Sequence, residues 1–567
     1  MTTRLPENLD LIATASEGIR KLRGLILELA VRGKLVPQDP DDEPASELLK
    51  RIAKERARLE ADGKIKKAKQ HTPVGEDEKP FDLPNTWEWS RLGIVSEKLT
   101  DGSHSPPPDF GSGLPMLSSQ NVQDGWIDTR NPSRYLSEQD FDSEDSRTKV
   151  STGDVLLTIV ASIGRSAVVT KEHCRFALQR SVAVIKSGLA PDFLSIQLRA
   201  PVARSYYDKH GKGTAQKGIY LGKLGEMPVA IPPLAEQHRI VAKVDELMAL
   251  CDRLEAEQAD AGAAHARLVA TLLGTLTQST GAAELAANWQ RLAEHFDTLI
   301  TTESSLDALK QTLLQLAVMG KLVPQDPNDE PASELLKRIA KERERLEAEG
   351  ACKKSKPMPP INLDDVPFEL PYGWAWARFP EVGHFARGKS RHRPRNDPSL
   401  FNPGIYPLVQ TGEVARADTT VREYHSKYSE VGLRQSKMWP RGTLCITIAA
   451  NIADSAILGF AACFPDSVVG LVPSQLIGDA RYFLWFMKTA RQELLRFAPA
   501  TAQKNINLEI LESVRIPLPP KGEMSRIVAK VDELMALCDR LKAGLAESRG
   551  QQERLSTTLI ETALQAA

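Results

Sequence analysis

The sequence predicts an α+β protein: two mixed α/β domains joined by long, antiparallel, coiled-coil-like helices, with a pseudo-twofold arrangement imposed by internal duplication. Three observations carry this expectation. First, GKLVPQDP at Gly33 to Pro40 recurs at Gly320 to Pro327, and DEPASELLKRIAKER at Asp42 to Arg56 recurs at Asp329 to Arg343, both displaced by 287 residues. Second, RIVAKVDELMALCDRL at Arg239 to Leu254 returns unchanged at Arg526 to Leu541. Third, the stretches between these blocks open alike, FDLPNTWEWSRL from Phe81 and FELPYGWAWARF from Phe368, and then diverge. A period this long marks a duplicated multi-part unit, since solenoid repeats run to roughly 20 to 50 residues.

The segments follow in order: a repeated helical region over 1–80, a variable domain over 81–235, a central repeated region over 236–367, a second variable domain over 368–522 and a closing repeat of the long helix over 523–567. Asp42 to Gly63 follows a Pro-rich turn, is rich in Leu, Ala, Lys, Arg and Glu and ends at glycine, which predicts an exposed, charge-laced helix. Within the variable domains, GDVLLTIVASIGRSAVV from Gly153 and GTLCITIAANIADSAIL from Gly442 carry short apolar runs broken by small residues, the mark of strands. YFLWFMKTARQELLRFA from Tyr482 adds a helix.

In the long repeated block, Ile240, Val244, Leu247, Cys251 and Leu254 alternate spacings of four and three, and the copy gives Ile527, Val531, Leu534, Cys538 and Leu541. That is the seam of a coiled coil or of a long packed helix. Continued towards Leu276, the first helix is about 57 Å long at about 1.5 Å per residue, a spacer. Two such helices in one chain are expected to pair antiparallel and to bury both seams.

Composition sets the remaining bounds. A chain of 567 residues needs several cores, and 41% hydrophobic with 26% charged residues is an ordinary globular mixture. No run approaches the roughly 20 apolar residues of a membrane span, and the start MTTRLPENLD lacks the apolar core of a signal peptide, so a cytoplasmic protein without membrane contact is expected. The six cysteines form no CxxC pair and the ten histidines no ligand spacing, so no metal site is expected. With 73 basic against 74 acidic residues, any nucleic-acid footprint must be local.

The paired LAVRGKLVPQDPDDEPASELLKRIAKE and LAVMGKLVPQDPNDEPASELLKRIAKE, the paired IPPLAEQHRIVAKVDELMALCDRL and LPPKGEMSRIVAKVDELMALCDRL, and the segments GTAQKGI and ATAQKNI resemble specificity subunits of type I restriction-modification systems over essentially the full length. The resemblance implies two target-recognition domains, each reading one half of a bipartite double-stranded DNA target, on helices that dock two methyltransferase subunits and, through them, restriction subunits. It also implies that this chain is non-catalytic and binds no cofactor itself. S-adenosylmethionine, ATP and magnesium would belong to the partner subunits.

Candidate contacts follow from side-chain chemistry. Ser119, Gln120 and Asn121, with Gln179 and Arg180, offer amides and a guanidinium suited to adenine and guanine edges, although ordinary turn residues would look the same. The second domain has Gln410 and different neighbours in the corresponding place, as a different half-site requires. Lys389, Arg391, Arg393 and Arg395 form a basic loop suited to phosphate; a solvated charge run is the alternative. Gln216 with Lys217 and Gln503 with Lys504 stand at equivalent positions, a pattern that fits a sequence-independent grip or a structural turn, and Lys212 adds charge beside the first pair. The seam residues named above are the candidate docking and coiled-coil surface.

Catalytic motifs are not found. Gly383, Gly388, Lys389 and Ser390 spell GxxxxGKS, but Pro394 follows where a phosphate-binding loop would open a helix. Asn131-Pro132-Ser133 and Asn402-Pro403-Gly404 do not fit an adenine methyltransferase, and Asp77 with Lys79 lies in a polar linker. Two rival classes remain open on sequence: a protein-assembly scaffold and an autonomous DNA enzyme.

Overall fold

The computed structural model describes residues 9–15, 17–65, 71–173, 175–213, 216–349, 358–362, 366–392, 394–449, 452–496 and 506–566. The chain divides into two compact units, Met1–Gly262 with Glu547–Ala567, and Ala263–Ala546. Both long helices therefore contribute to both units.

In the first unit α1 (Gly18–Val31) buries Leu22, Leu25, Ile26 and Leu29, and α2 (Ala45–Ala61) buries only Ala45, Leu48 and Ile52. The narrow stripe on α2 agrees with a mostly exposed, charged helix. The variable domain that follows is closed at its base: β1 (Glu88–Arg91), at its entrance, pairs antiparallel with β9 (Pro228–Ile231), at its exit. Between them lie β2 (Ser96–Asp101), β3 (Leu114–Leu117), β4 (Arg134–Leu136), α3 (Glu138–Thr148), β5 (Val155–Thr158), β6 (Ser166–Val168), β7 (Ala177–Leu178), β8 (Val182–Ser187), α4 (Pro191–Arg199) and α5 (Pro201–His210).

The strands form a four-stranded sheet, β2-β8-β5-β6, and a three-stranded sheet, β4-β3-β7. Strand periodicity decides which layer each face meets. Val155, Leu157, Ala183 and Ile185 share a core with Leu48 and Ile52 of α2 and Leu194 and Leu198 of α4. Leu156, Val182 and Val184 point the other way, towards Leu117 and Leu178 of the smaller sheet. The sheet is thus buried on both faces, which explains its unbroken apolar runs.

Helix α6 (Leu234–Gln278) is continuous over 45 residues. It passes into the second unit at Ala263, where α7 (Ala282–Glu294) follows and α8 (Glu303–Val318) and α9 (Ala332–Ala348) repeat α1 and α2. The second variable domain runs through β10 (Ala375–Ala377), β11 (Gly383–Arg387), β12 (Tyr406–Leu408), β13 (Thr420–Val421), β14 (Ser426–Tyr428), β15 (Met438–Trp439), β16 (Leu444–Thr447), β17 (Ser455–Leu458), β18 (Ala462–Cys463), β19 (Val468–Pro473), α10 (Arg481–Arg496) and β20 (Ile516–Leu518). Its sheets are β11-β19-β16-β17-β13 and β14-β12-β18-β15, with β10-β20 closing the base. The last helix, α11 (Lys521–Ala566), is continuous over 46 residues.

The long helices run antiparallel within each unit. Along the first unit's N-terminal segment, bonds to α6 step back from Gln258 (to Ala13) to Asp252 (to Arg23), whereas bonds to α11 step forward from Gln552 (to Thr14) to Thr557 (to Lys21). In the second unit Lys542 pairs with Glu303 and Lys310 with Asp539, a descending order along α11. There His265 meets Thr301 and Thr277 meets Lys321, an ascending order along α6.

Both seams are buried as expected, each in its own unit against the other long helix and, beyond what was expected, against a third helix. Ile240, Val244 and Cys251, with the partly buried Leu247 and Leu254, pack in one core with Leu22, Leu25, Ile26 and Leu29 of α1, and the tail of α11 joins through Leu559, Ile560 and Ala563. In the copy, Leu534, Cys538 and Leu541 share a core with Leu306, Leu309 and Leu313 of α8, while Ile527 and Val531 enter the core that also holds the sheet residues Leu444 and Ile446. A third helix fills the seam because α1 and α8 carry wide apolar faces of their own. Among the described residues no helix is long and apolar enough to cross a membrane.

Candidate nucleic-acid interface

Strand direction gathers most of the candidate residues of the first domain at one end of its sheets. β3 and β7 run parallel and end together at Leu117 and Leu178, while Thr158 at the end of β5 pairs with Val182 at the start of β8. The end of β2 joins them through the Asp101↔Ala183 pair. The loops leaving this edge are stitched by backbone bonds. Ser103 N–H donates to Leu178 O (2.7 Å), Arg180 N–H to Ser103 O (2.8 Å), and Ile159 N–H to Ser181 O (2.9 Å). Ser119 N–H reaches Ser181 Oγ at 3.0 Å.

Lys212, Gln216 and Lys217 belong to the same edge. Lys212 and Gly218 exchange both backbone bonds, and Ala161 N–H donates to Lys217 O at 2.9 Å. Lys212, Gln216 and Lys217 are exposed there. Arg180 and Gln120 are exposed, and Ser119 is half-buried. Gln179 is half-buried and donates to Ser133 Oγ at 2.8 Å, so it is partly committed to the loop below it.

Asn121 is corrected from base reader to loop brace. It is 2% exposed. Its Nδ2 donates to Asp128 O (3.1 Å) and Asn131 O (2.7 Å), and its Oδ1 accepts from Ser118 N–H (3.0 Å). Every polar atom of the amide is used within the 118–131 loop, and none faces solvent. The brace carries a hairpin in which Gln123 N–H donates to Trp126 O (3.0 Å) and Gly125 turns the chain at φ +90°. At its tip Trp126 is 57% exposed, an aromatic face next to the reading edge that sequence reasoning passed over. The Asp124-Gly125 pair, a hairpin-turn signature, was the available signal.

Asp101, His104 and Arg147 were also missed. Arg147 Nη2 meets Asp101 Oδ1 at 2.5 Å and His104 Nε2 meets Asp101 Oδ2 at 2.8 Å, so a buried carboxylate holds a half-exposed guanidinium and a half-exposed imidazole at the end of β2. Arg147 lies 46 residues beyond Asp101, and only the fold brings it to the Asp101–His104 pair.

The second domain uses the same edge with other loops. Gly388 N–H donates to Val468 O (2.8 Å), Val409 N–H to Cys463 O (2.9 Å) and Ile448 N–H to Ser467 O (3.0 Å). Lys389 and Arg391 are exposed on the loop after β11, and Gln410 is exposed at the start of the helix Thr411–Arg416. Arg395 differs from the sequence expectation of a free basic loop: its guanidinium bonds both Asp466 oxygens at 3.0 and 3.1 Å, which offsets its charge. Arg393, Gln503 and Lys504 lie outside the described residues.

The GxxxxGKS match does not form a phosphate cradle. Gly383 is a strand residue of β11, a Cβ on Gly388 would stand 2.3 Å from the carbonyls of Phe464 and Pro465, and no α-helix begins directly after Lys389. Among the described residues no group of three potential ligands could hold a metal ion. Cys251, Cys445, Cys463 and Cys538 are free and buried.

Two variable loop-bearing edges on two copies of one helical frame define a duplicated recognition protein. The family model for the type I restriction modification DNA specificity domain matches residues 108–261 and 371–548. The specificity subunit of the type I restriction enzyme EcoAI from Escherichia coli is 36% identical over 568 residues, covering 96% of this chain and 94% of that protein. The EcoEI specificity subunit, also from Escherichia coli, is 37% identical over 576 residues with the same coverages. A solved chain from a type I R-M system is 19% identical with a TM-score of 0.48, covering 86% of this chain and 99% of that one. The chain belongs to the specificity subunits of type I restriction-modification systems, whose role is DNA target recognition.

Proposed function

We propose that this chain reads a bipartite double-stranded DNA target, one half-site per variable domain, while its repeated helices dock two methyltransferase subunits and, through them, restriction subunits. It acts without catalysis of its own in the cytoplasm; S-adenosylmethionine, ATP and magnesium are held by the partner subunits. The observation that supports this most strongly is the contrast between frame and contents: the same strand ends carry Ser119, Gln120 and Arg180 in one copy and Lys389, Arg391 and Gln410 in the other. Base edges demand such differences, because each base pair presents its own donor and acceptor pattern in the major groove. Repeated helical frames suit two copies of one partner.

Methylome sequencing of a host carrying the system tests the reading: a single asymmetric, interrupted motif is expected, and a continuous motif would refute it. The gap is set by the long helices, which at about 1.5 Å per residue span on the order of 68 Å, about two turns of DNA. Inserting a few residues into both α6 and α11 is expected to change the gap and preserve both half-sites.

A further inference from the structure

The two variable domains differ at one turn in a way that changes what can bind there. Arg165 and Asp454 occupy the same place: each follows a residue of positive φ (Gly164, +98°; Ala453, +60°) and each precedes the Ser-Ala start of a strand. Arg204 and Arg491, 287 residues apart, are likewise equivalent. In the second domain Asp454 and Arg491 neutralise each other at 2.8 Å. In the first domain a second guanidinium stands where that carboxylate would be.

The first domain does not restore the balance. Arg204 reaches Asp124 at 3.2 Å, and Arg165 has no side-chain partner among the described residues. Arg199 donates from Nε to Ser195 O of its own helix (3.2 Å) and forms no ion pair among the described residues. Its burial, and to a smaller degree the charge of Arg204, pushes the guanidinium below its usual range, only partly opposed by Asp124, Asp245 and Asp192. Asp124, Arg165, Arg199 and Arg204 line one groove of about 1420 Å³ within the first unit. The cations that α1 and the residue after it bring to that groove are already answered: Arg20 by Glu17, Lys21 by Glu553, Arg23 by Asp252 and Glu255, and Arg32 by Glu28.

Partly desolvated charge without a counter-charge is costly, and an anion that enters the groove removes that cost. The groove is continuous with the reading edge. Asp124 belongs to the braced 118–131 hairpin, and Arg165 closes the 159–164 loop whose Ala161 is bonded to Lys217. The nearest polyanion to a groove in that place is the backbone of the duplex being read.

We propose that Arg165, Arg199 and Arg204 form a phosphate clamp, present in the first domain and replaced by an ion pair in the second, that grips the DNA backbone flanking the first half-site. The inference rests on the DNA-reading function proposed above. It makes the two half-sites unequal in electrostatic grip, with the first supplying more of the salt-sensitive affinity.

The test uses the full chain in its assembled complex and a duplex carrying the mapped target. Arg165→Asp installs the second domain's own arrangement, a carboxylate opposite Arg204, so the fold already shows that the pairing is tolerated. It removes one phosphate partner and engages a second. The slope of log affinity against log salt is therefore expected to fall by about 1 to 2, since each neutralised phosphate contributes about 0.9. The loss is expected to be the same for every base substitution in the target, because phosphate contacts do not read sequence. Asp454→Arg is expected to raise the slope by about 1.

Lys171→Asp, an equal charge change at an exposed turn beyond the far end of β6, is the control and is expected to leave the slope in place. An Arg165→Asp slope equal to wild type, or a fall matched by Lys171→Asp, overturns the proposal. So does intact DNA binding with weakened assembly, which would assign the groove to an acidic segment of a partner protein. A wild-type complex without target preference would instead remove the reading beneath the proposal, and is distinguished because it fails before any variant is compared.

Discussion

Replacing Asn121 by alanine separates two roles that look alike in sequence, reading a base and holding the loop that reads it. The side chain makes three hydrogen bonds to the main chain of the 118–131 loop, with Asp128 O, Asn131 O and Ser118 N, besides a longer one from Ser118 Oγ. At about 1 kcal/mol net for each, their loss costs roughly 2 to 3 kcal/mol. The cost falls first on the local equilibrium between the braced loop and open forms, because the strands beneath it keep their own cores. If only the braced form binds, affinity for the first half-site falls by up to roughly 30- to 150-fold, the full factor applying where braced and open forms are near balance in the wild type.

The assay is binding of the assembled complex to duplexes in which each base of the mapped target is varied in turn. A brace predicts a uniform loss across the first half-site, with discrimination at the second half-site unchanged. Asn121→Asp is expected to do at least as badly, because it keeps the acceptor for Ser118 but loses both donors and sets a charge against two carbonyls. A base reader predicts relaxed choice at one position with the other positions intact. That last pattern, with unchanged loop protection in hydrogen exchange, would refute the placement of Asn121 inside the loop.

Further outcomes follow at three residues, Glu236, Glu78 and Ile240. Glu236 is buried and accepts from Trp87 Nε1 at 2.9 Å, so Glu236→Ala, which strands that indole N–H, is expected to cost about 1 to 3 kcal/mol in denaturant unfolding, with Glu236→Gln costing less. Burial raises the Glu236 carboxyl above its usual value of 4.5, so its neutral form favours folding: the stability of wild type relative to Glu236→Gln should grow as pH falls and shrink as pH rises above 4.5. Glu78 behaves oppositely. Hydrogen bonds from Arg91, then from the Gly75 N–H, hold it at about 2, so the wild-type advantage over Glu78→Gln in thermal melts should be present above pH 4.5 and lost as pH falls from 4.5 towards 2. Ile240 is fully buried against α1, and Ile240→Ala should destabilise by about 2 to 4 kcal/mol in chemical denaturation, an outcome an exposed docking residue would not produce.

The helices and the strand pairs around Val155 and Leu444 were legible because duplication doubled every signal and because β-branched, apolar runs between glycines have few alternatives. The third helix in each seam was less so. GIRKLRGLILELAV offers apolar residues on more than one face, and a five-residue seam on its own does not say whether its partner is the other long helix or a neighbour. At the reading edge, the local candidates Gln120, Arg180 and Lys217 were found by chemistry alone. Asn121 was misassigned because an amide that braces a loop and one that reads adenine have the same formula, and only burial tells them apart. Arg395, paired with Asp466, and the Asp101–His104–Arg147 cluster depend on strand order that joins residues tens of positions apart.

The repeated contacts also explain how loops can diverge so far on a fixed frame. Each variable domain leaves and re-enters through one antiparallel pair, Trp89↔Ala230 in the first unit and Trp376↔Pro517 in the second. Beside each pair the same buried bond recurs at the same length, Trp87 to Glu236 and Trp374 to Glu523 at 2.9 Å. The same ion pair recurs as well, Arg239 with Asp42 and Arg526 with Asp329. Because both ends of the domain are clamped to the start of a long helix, a loop can be replaced at the far end of the sheet without moving the clamp. Substitutions that change the target therefore belong at the strand ends, whereas changes at Trp87, Glu236 or Asp42 disturb the first domain as a whole and leave its base preference alone.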